Sequence, residues 1–246
     1  MTILSVNMDK VALLRNSREG NTPNVIEFAK KFIQLGVHSI TIHPRQDERH
    51  IKRQDARDLA KLIKDYPDVE LNIEGFPSQE YLTLIEKVRP DQSTIVPDTE
   101  DQLTSDHGWD IKNKREFLRE VLARIKKAGC RTSIFIDPDV EQINLVPDTG
   151  ADRIELYTES YASTFESTDS DFVFDQFKVS AEAAQKLGIG VNAGHDLNLK
   201  NLPKFLEING ILEVSIGHAL TVECIEMGMR EVVSKYLTIC NNKNIF

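Results

Sequence analysis

Eight times along its 246 residues the chain passes from a short run rich in β-branched and aromatic residues to a longer stretch of helical periodicity, with no linker between repeats. The short runs fall at residues 3–9, 39–44, 70–75, 93–97, 131–137, 153–158, 190–195 and 213–218. Helical patterns separate them, for example at 25–35, 79–88, 114–128, 171–187 and 221–237. Strand then helix, repeated eight times, predicts an α/β fold, a parallel (β/α)8 TIM barrel, and barrels of this length form a single domain, here residues 1–246. Gly36, Gly129 and Gly188 each follow a helical stretch, where a left-handed residue commonly ends a helix. An open doubly wound sheet shares the alternation, but no GxGxxG follows the first strand, and polar residues end nearly every strand instead of clustering at one switch point. Two longer polar connections, 15–24 and 98–113, are placed to cover a site.

Charge narrows the function. A formal net charge of −9 and a pI near 5.2 argue against a general attraction to nucleic acid or to an anionic membrane, so any phosphate must be caught locally. The hydrophobic fraction of 40% is ordinary for a globular chain with a sizeable core. No stretch approaches the roughly 18 apolar residues of a membrane span, and the first residues lack the pattern of a signal peptide, so a cytoplasmic location is expected. Cys130, Cys224 and Cys240 are odd in number and far apart, which suits reduced thiols and not a disulfide framework or zinc site.

Side chains two apart on a strand share a face. Leu4, Val6 and Met8 oppose Ser5, Asn7 and Asp9 in the first run; Ile40 and Ile42 oppose Thr41, His43 and, just beyond, Arg45 in the second; Leu71 and Ile73 oppose Asn72 and Glu74 in the third. If the apolar set meets the surrounding helices, the polar set fills the barrel and emerges at its C-terminal rim, where barrel enzymes carry out catalysis. Asp9, His43, Arg45 and Glu74 then converge. Each alone reads more readily as a solvated strand end or a structural ion pair than as a site residue; recurrence at equivalent positions reverses that balance.

Glu155 sits inside an apolar run, and a buried carboxylate requires a partner or a function; an ion pair with a nearby Arg or Lys is the competing expectation. The seventh and eighth runs end in Gly194-His195 and Gly217-His218. Glycine admits an anion close to backbone N–H groups, and the loops after these two strands commonly bind phosphate in such barrels. Three histidines and a glutamate at one rim supply acids and bases that titrate near neutrality. They are also potential metal ligands, but no HxH or HExxH spacing groups them, and Lys10 and Arg45 would repel a cation.

The segments Ser5-Val6-Asn7-Met8-Asp9, Leu14-Arg15-Asn16-Ser17-Arg18, Thr41-Ile42-His43-Pro44-Arg45, Asp47-Glu48-Arg49-His50-Ile51, Asn72-Ile73-Glu74, Ser133-Ile134-Phe135-Ile136-Asp137, Val191-Asn192-Ala193-Gly194-His195 and Ile216-Gly217-His218 together resemble the pyridoxine 5′-phosphate synthase family. The resemblance spans residues 5–218 in order. It implies condensation of 1-deoxy-D-xylulose 5-phosphate with 3-amino-2-oxopropyl phosphate to give pyridoxine 5′-phosphate, phosphate and water, without metal or organic cofactor. It also implies extra helices around the barrel and a homo-octamer. By position, His43 and Glu74 match proton acceptors, His195 a proton donor, and Glu155 a residue that stabilises a transition state. Asp9, Arg45, His50 and Thr104 match contacts to the deoxyxylulose phosphate; Asn7, Arg18, Gly217 and His218 match contacts to the amino-oxopropyl phosphate.

Two positions depart from the family pattern. Lys10 stands where many members have His, keeping positive charge beside a sugar phosphate; Asp196 follows His195 where many have Gly, and contacts substrate through its N–H only if its carboxylate turns away from the phosphate. A phosphate-binding barrel that has lost turnover and a Schiff-base aldolase using Lys10 are the competing functions.

Overall fold

The computed structural model describes residues 1–98, 102 and 104–241. Residues 99–101 and 103 of the expected covering connection 98–113 lie outside that set. Eight parallel strands close into a barrel in sequence order: β1 (Ile3–Asn7), β2 (Ser39–Ile42), β3 (Glu70–Gly75), β4 (Gln92–Ile95), β5 (Arg131–Ile136), β6 (Arg153–Tyr157), β7 (Gly190–Gly194) and β8 (Ile211–Ile216), with β8 pairing back to β1. Helices α1 (Asp9–Asn16), α2 (Val25–Gln34), α3 (Arg53–Ile63), α4 (Gln79–Val88), α5 (Ile111–Lys127), α6 (Val140–Ile143), α7 (Glu159–Thr164), α8 (Ser170–Lys186), α9 (Leu202–Phe205), α10 (His218–Met227) and α11 (Met229–Asn241) surround it. Among the described residues, no helix is long and apolar enough to cross a membrane.

The apolar strand faces behave as the alternation predicts. Leu4, Val6, Ile40, Ile42, Leu71 and Ile73 are buried in one continuous core with the inner faces of the helices. Local rules fix the boundaries: Ser78 and Asp110 cap α4 and α5 by accepting from the N–H groups of Tyr81 and Asn113, and Gly36, Gly129 and Gly188 take φ of 96°, 90° and 75° just past their helices. The expected single helix at 221–237 is two. Gly228, at φ 88°, ends α10, and α11 starts afresh at Met229, because a residue in that conformation cannot continue a right-handed helix.

Several strands stop earlier than expected. β1 ends at Asn7, since Asp9 already opens α1, and β2 ends at Ile42, so His43 and Arg45 stand on the loop beyond. Residue 15, expected to open a covering connection, instead lies in the last turn of α1. Arg15 is buried, forks onto Asp55 at 2.6 and 2.9 Å and donates to the His50 carbonyl at 3.0 Å, which ties α1 to the segment that carries His50.

The barrel interior is polar where branched hydrocarbon is usual. Ser5 and Thr41 hydroxyls meet at 2.6 Å, the Asn72 amide donates to Thr41 at 3.2 Å, and Thr94 donates to Asn72 at 3.0 Å. Nearer the N-terminal end, Gln92 donates to Glu213 and accepts from Arg131, which pairs with Glu70, while Arg153 donates to Asn192. Such groups are tolerated in an interior because they satisfy one another.

Tyr81 of α4 joins the outer layer to the sheet: its hydroxyl donates to the Ile73 carbonyl at 2.8 Å and lies 2.7 Å from the Ser93 hydroxyl. Tyr81→Phe strands buried polar atoms beside the strand that carries Glu74, and chemical denaturation should register a loss of about 1–3 kcal/mol. An unchanged midpoint would remove Tyr81 from the supports of β3.

Candidate active site

At the C-terminal ends of the strands lies a cavity of about 450 Å³, lined among others by Asn7, Asp9, Lys10, His43, Arg45, His50, Glu74, Thr104, Glu155, His195, Asp196, Gly217 and His218. Every residue singled out from the sequence is therefore brought to one rim, except Arg18. That side chain is exposed in the stretch after α1 and does not line this cavity. Arg49, Ser105, Phe135 and Ser215 also line the cavity and were not singled out. Arg49 and Phe135 had a signal, lying within the segments 47–51 and 133–137 that carry the family resemblance, whereas nothing in Ser215 distinguishes it from an ordinary strand residue.

On the β1–β2 side, the Asp9 carboxylate accepts from the His43 backbone N–H at 2.9 Å and lies 3.6 Å from His50 Nδ1. His50 Nδ1 accepts from the Ile51 N–H at 2.9 Å, so the neutral ring carries its proton on Nε2. Burial pulls His43 well below the usual imidazole range, reinforced by the charges of Arg45 and His50; burial lowers His50 too, against the opposing pull of Asp9. Both imidazoles are thus neutral proton acceptors at pH 7. Arg45 donates to Asp98 at 2.5 Å and to the Gln102 carbonyl at 3.2 Å, and Ser105 donates to the same Asp98 oxygen at 2.8 Å, which ties Asp98, Gln102 and Ser105 to this side of the cavity.

The carboxyl groups move the opposite way. Burial, then repulsion from Glu155 and Asp9, raises Glu74 well above the ordinary range, and burial with the nearby Glu213 pushes Glu155 up to about 8. No ion pair to Glu155 is found among the described residues, so the competing expectation of a partnering Arg or Lys fails, and its Oε2 is buried without a hydrogen-bond partner. The cationic side chains of Arg131 and Arg153 are spent one layer lower, on Glu70, Gln92 and Asn192. Gly194 is what lets Glu155 lie there: a Cβ at residue 194 would stand 2.3 Å from Glu155 Oε1. Glu155 held protonated near neutrality, Glu74 binding a proton more firmly than an ordinary carboxylate, and imidazoles held neutral give one cavity both donors and acceptors of protons.

On the far side, β7 ends at Gly194 and the next two residues both have positive φ, 91° for His195 and 58° for Asp196. Non-glycine residues in that region cost on the order of 1–3 kcal/mol each and persist only where neighbours hold them. Thr158 supplies the hold, its hydroxyl reaching the Gly194 and His195 carbonyls. His195 Nε2 lies 3.1 Å from the Thr104 hydroxyl, Nδ1 lies 2.9 Å from Asp196 Oδ2, and the ring edge packs on Tyr157 with centroids 5.0 Å apart. The Asp196 carboxylate therefore turns toward His195. Gly217 packs against Asn7 and immediately precedes α10, whose first residues, His218 and Ala219, line the cavity with it.

The match to known proteins extends over this whole framework. Residues 4–242 fit the family model described as pyridoxal phosphate biosynthesis protein PdxJ. A pyridoxine 5′-phosphate synthase of Christiangramia forsetii is 48% identical over 240 residues, covering 97% of this chain and 99% of that protein, and one from Agrobacterium fabrum is 44% identical, covering 98% of each. A solved HMG-CoA lyase from Brucella melitensis superposes with a TM-score of 0.61 at 12% identity, covering 98% of this chain and 99% of that one, a likeness of fold alone. With a family model matched nearly from end to end and relatives close to half identical over almost their full length, the chain belongs to the PdxJ family of pyridoxal phosphate biosynthesis proteins.

Proposed function

We propose that the cavity condenses 1-deoxy-D-xylulose 5-phosphate with 3-amino-2-oxopropyl phosphate to form pyridoxine 5′-phosphate, phosphate and water. Its strongest support is the pairing, in one cavity, of carboxyl groups raised by burial with imidazoles lowered by it. Ring formation from a ketone and an amine requires carbinolamine dehydration, loss of a phosphate and repeated proton movement between neighbouring atoms, which groups poised on both sides of neutrality share. In this reading His43 and Glu74 accept protons, His195 donates one, and Glu155 supports a transition state. Asp9, Lys10, Arg45, His50 and Thr104 face the deoxyxylulose phosphate. Asn7, Gly217, His218 and the first turn of α10 face the amino-oxopropyl phosphate, and Arg18 lends charge from outside the cavity.

Incubation of the purified protein with both substrates should yield pyridoxine 5′-phosphate, seen by its fluorescence, with stoichiometric release of inorganic phosphate. Tight binding of both without product would favour a phosphate-binding barrel. Borohydride trapping of substrate on Lys10 would favour a Schiff-base aldolase. The same reading carries a one-domain subunit in a cytoplasmic homo-octamer. Exposed apolar side chains such as Leu14, Phe172 and Ile225 suit self-association, and light scattering coupled to gel filtration should return eight times the 27.9 kDa chain mass.

A further inference from the structure

Neighbouring side chains on an extended strand point to opposite faces, so residues 195 and 196 would ordinarily not meet. Here both adopt left-handed backbone, and the two side chains fold onto each other, His195 Nδ1 to Asp196 Oδ2 at 2.9 Å. A carboxylate only accepts hydrogen bonds, so Nδ1 must carry the proton. The other nitrogen, Nε2, then faces Thr104 and the cavity, as an acceptor when the ring is neutral and as a donor when it is charged. Tyr157 packs against the ring and Thr158 fixes the backbone beneath it.

We infer that Asp196 is a positioning residue of the reaction: its carboxylate keeps the Nδ1–H of His195 turned to itself and so fixes the ring with Nε2 facing the reacting atoms, from which the charged ring donates and to which the neutral Nδ1–H ring accepts. The inference rests on the proton-transfer role given to His195 above, and differs from a substrate contact by Asp196. Two observations favour positioning. The carboxylate is engaged by the imidazole, and it stays ionised because the His195 hydrogen bond, with the charges of His218 and Lys10 adding, holds it below the usual carboxylate range. A free carboxylate turned to the cavity would instead repel a phosphate dianion.

The test uses ¹⁵N-histidine-labelled full-length protein, with the His195 resonances assigned by loss in His195→Gln. In the native protein the neutral His195 ring should show a protonated Nδ1. Asp196→Asn and Asp196→Gly, both able to keep φ near 58°, should admit the Nε2–H tautomer and lower kcat by about tenfold, with KM for each phosphate substrate changed by less than about twofold. An identical His195 tautomer in native and variant proteins overturns the inference, as does a raised KM with unchanged kcat. A changed tautomer with unchanged kcat would leave the Asp196–His195 pair standing and remove His195 from the proton transfers, so that the assignment above fails instead.

Discussion

Glu74→Gln and His43→Asn should each lower kcat by about a hundredfold or more while KM for both phosphate substrates stays within a few-fold, the pattern of a lost proton transfer and not of lost binding. Each change removes proton affinity at a place the barrel has tuned. Glu74 stands on β3, where burial first and the neighbouring carboxylates second raise it, so as an acceptor it holds a proton more firmly than an ordinary glutamate. His43 is pulled the other way and is uncharged throughout the neutral range. A base raised in this manner works only above its own ionisation, so the kcat of the native protein should climb with pH through that step. The Glu74→Gln variant should lack that limb of the profile. Steady-state kinetics across pH 5 to 9 measures both effects, and a rise confined to KM in either variant would take that residue out of the chemistry and place it among the binding groups.

Glu155→Gln should cost activity while making the protein more stable in alkali. The carboxyl is buried, and burial lifts it from 4.5 to about 8. Between those values the folded state keeps a proton that the unfolded chain has released. The slope of unfolding free energy with pH follows protons bound unfolded minus folded, which is negative here, so stability contributed at this site is complete below about 4.5, falls as pH rises, and levels off above about 8. Each tenfold difference in proton affinity between the two states is worth about 1.4 kcal/mol, so the ionised carboxylate burdens the fold at pH 8.5 by a few kcal/mol. A neutral amide escapes that burden. Urea denaturation should therefore find the variant about 1–3 kcal/mol more stable than the native protein at pH 8.5 and close to it at pH 5. Glu213, raised to about 7 by burial, acts with the same sign, so some slope persists in the variant below pH 7. Parallel stability curves for the two proteins would mean that Glu155 is not held protonated. If kcat is also unchanged, the residue has no part in the reaction, whereas a tenfold or larger loss marks a site that accepts instability for function.

The strands, their inward and outward faces and the assembly of distant segments at one rim are legible in the sequence because they follow from local rules. Side chains alternate along a strand, branched residues favour it, glycines end helices, and a strand–helix repeat without linkers can close only with its chemistry at one end. Alternation and motif place Asn7, Asp9, His43, Arg45, Glu74, Glu155, His195, Gly217 and His218 at that end, and all of them line the same cavity. The break at Gly228 is not legible in this way, because a single glycine in a helical pattern is compatible with either a continuous or an interrupted helix, and packing chooses.

The chemical state of the site was decided by tertiary structure. Glu155 reads in sequence as a carboxylate in search of a cation. Only the closed barrel assigns the nearby arginines to another layer and sets Gly194 and Glu213 around it instead. Asp196 reads as a charge that disturbs phosphate, and only the left-handed backbone at residues 195 and 196 turns it onto the histidine beside it. Hydrogen bonds such as Gln92 to Glu213, 121 residues apart, and Thr104 to His195, 91 apart, depend on how the strands meet around the barrel. Local periodicity says which way a side chain faces; the proton affinity of that side chain depends on every charge and dipole brought near it when water is excluded, and those neighbours are fixed by barrel closure.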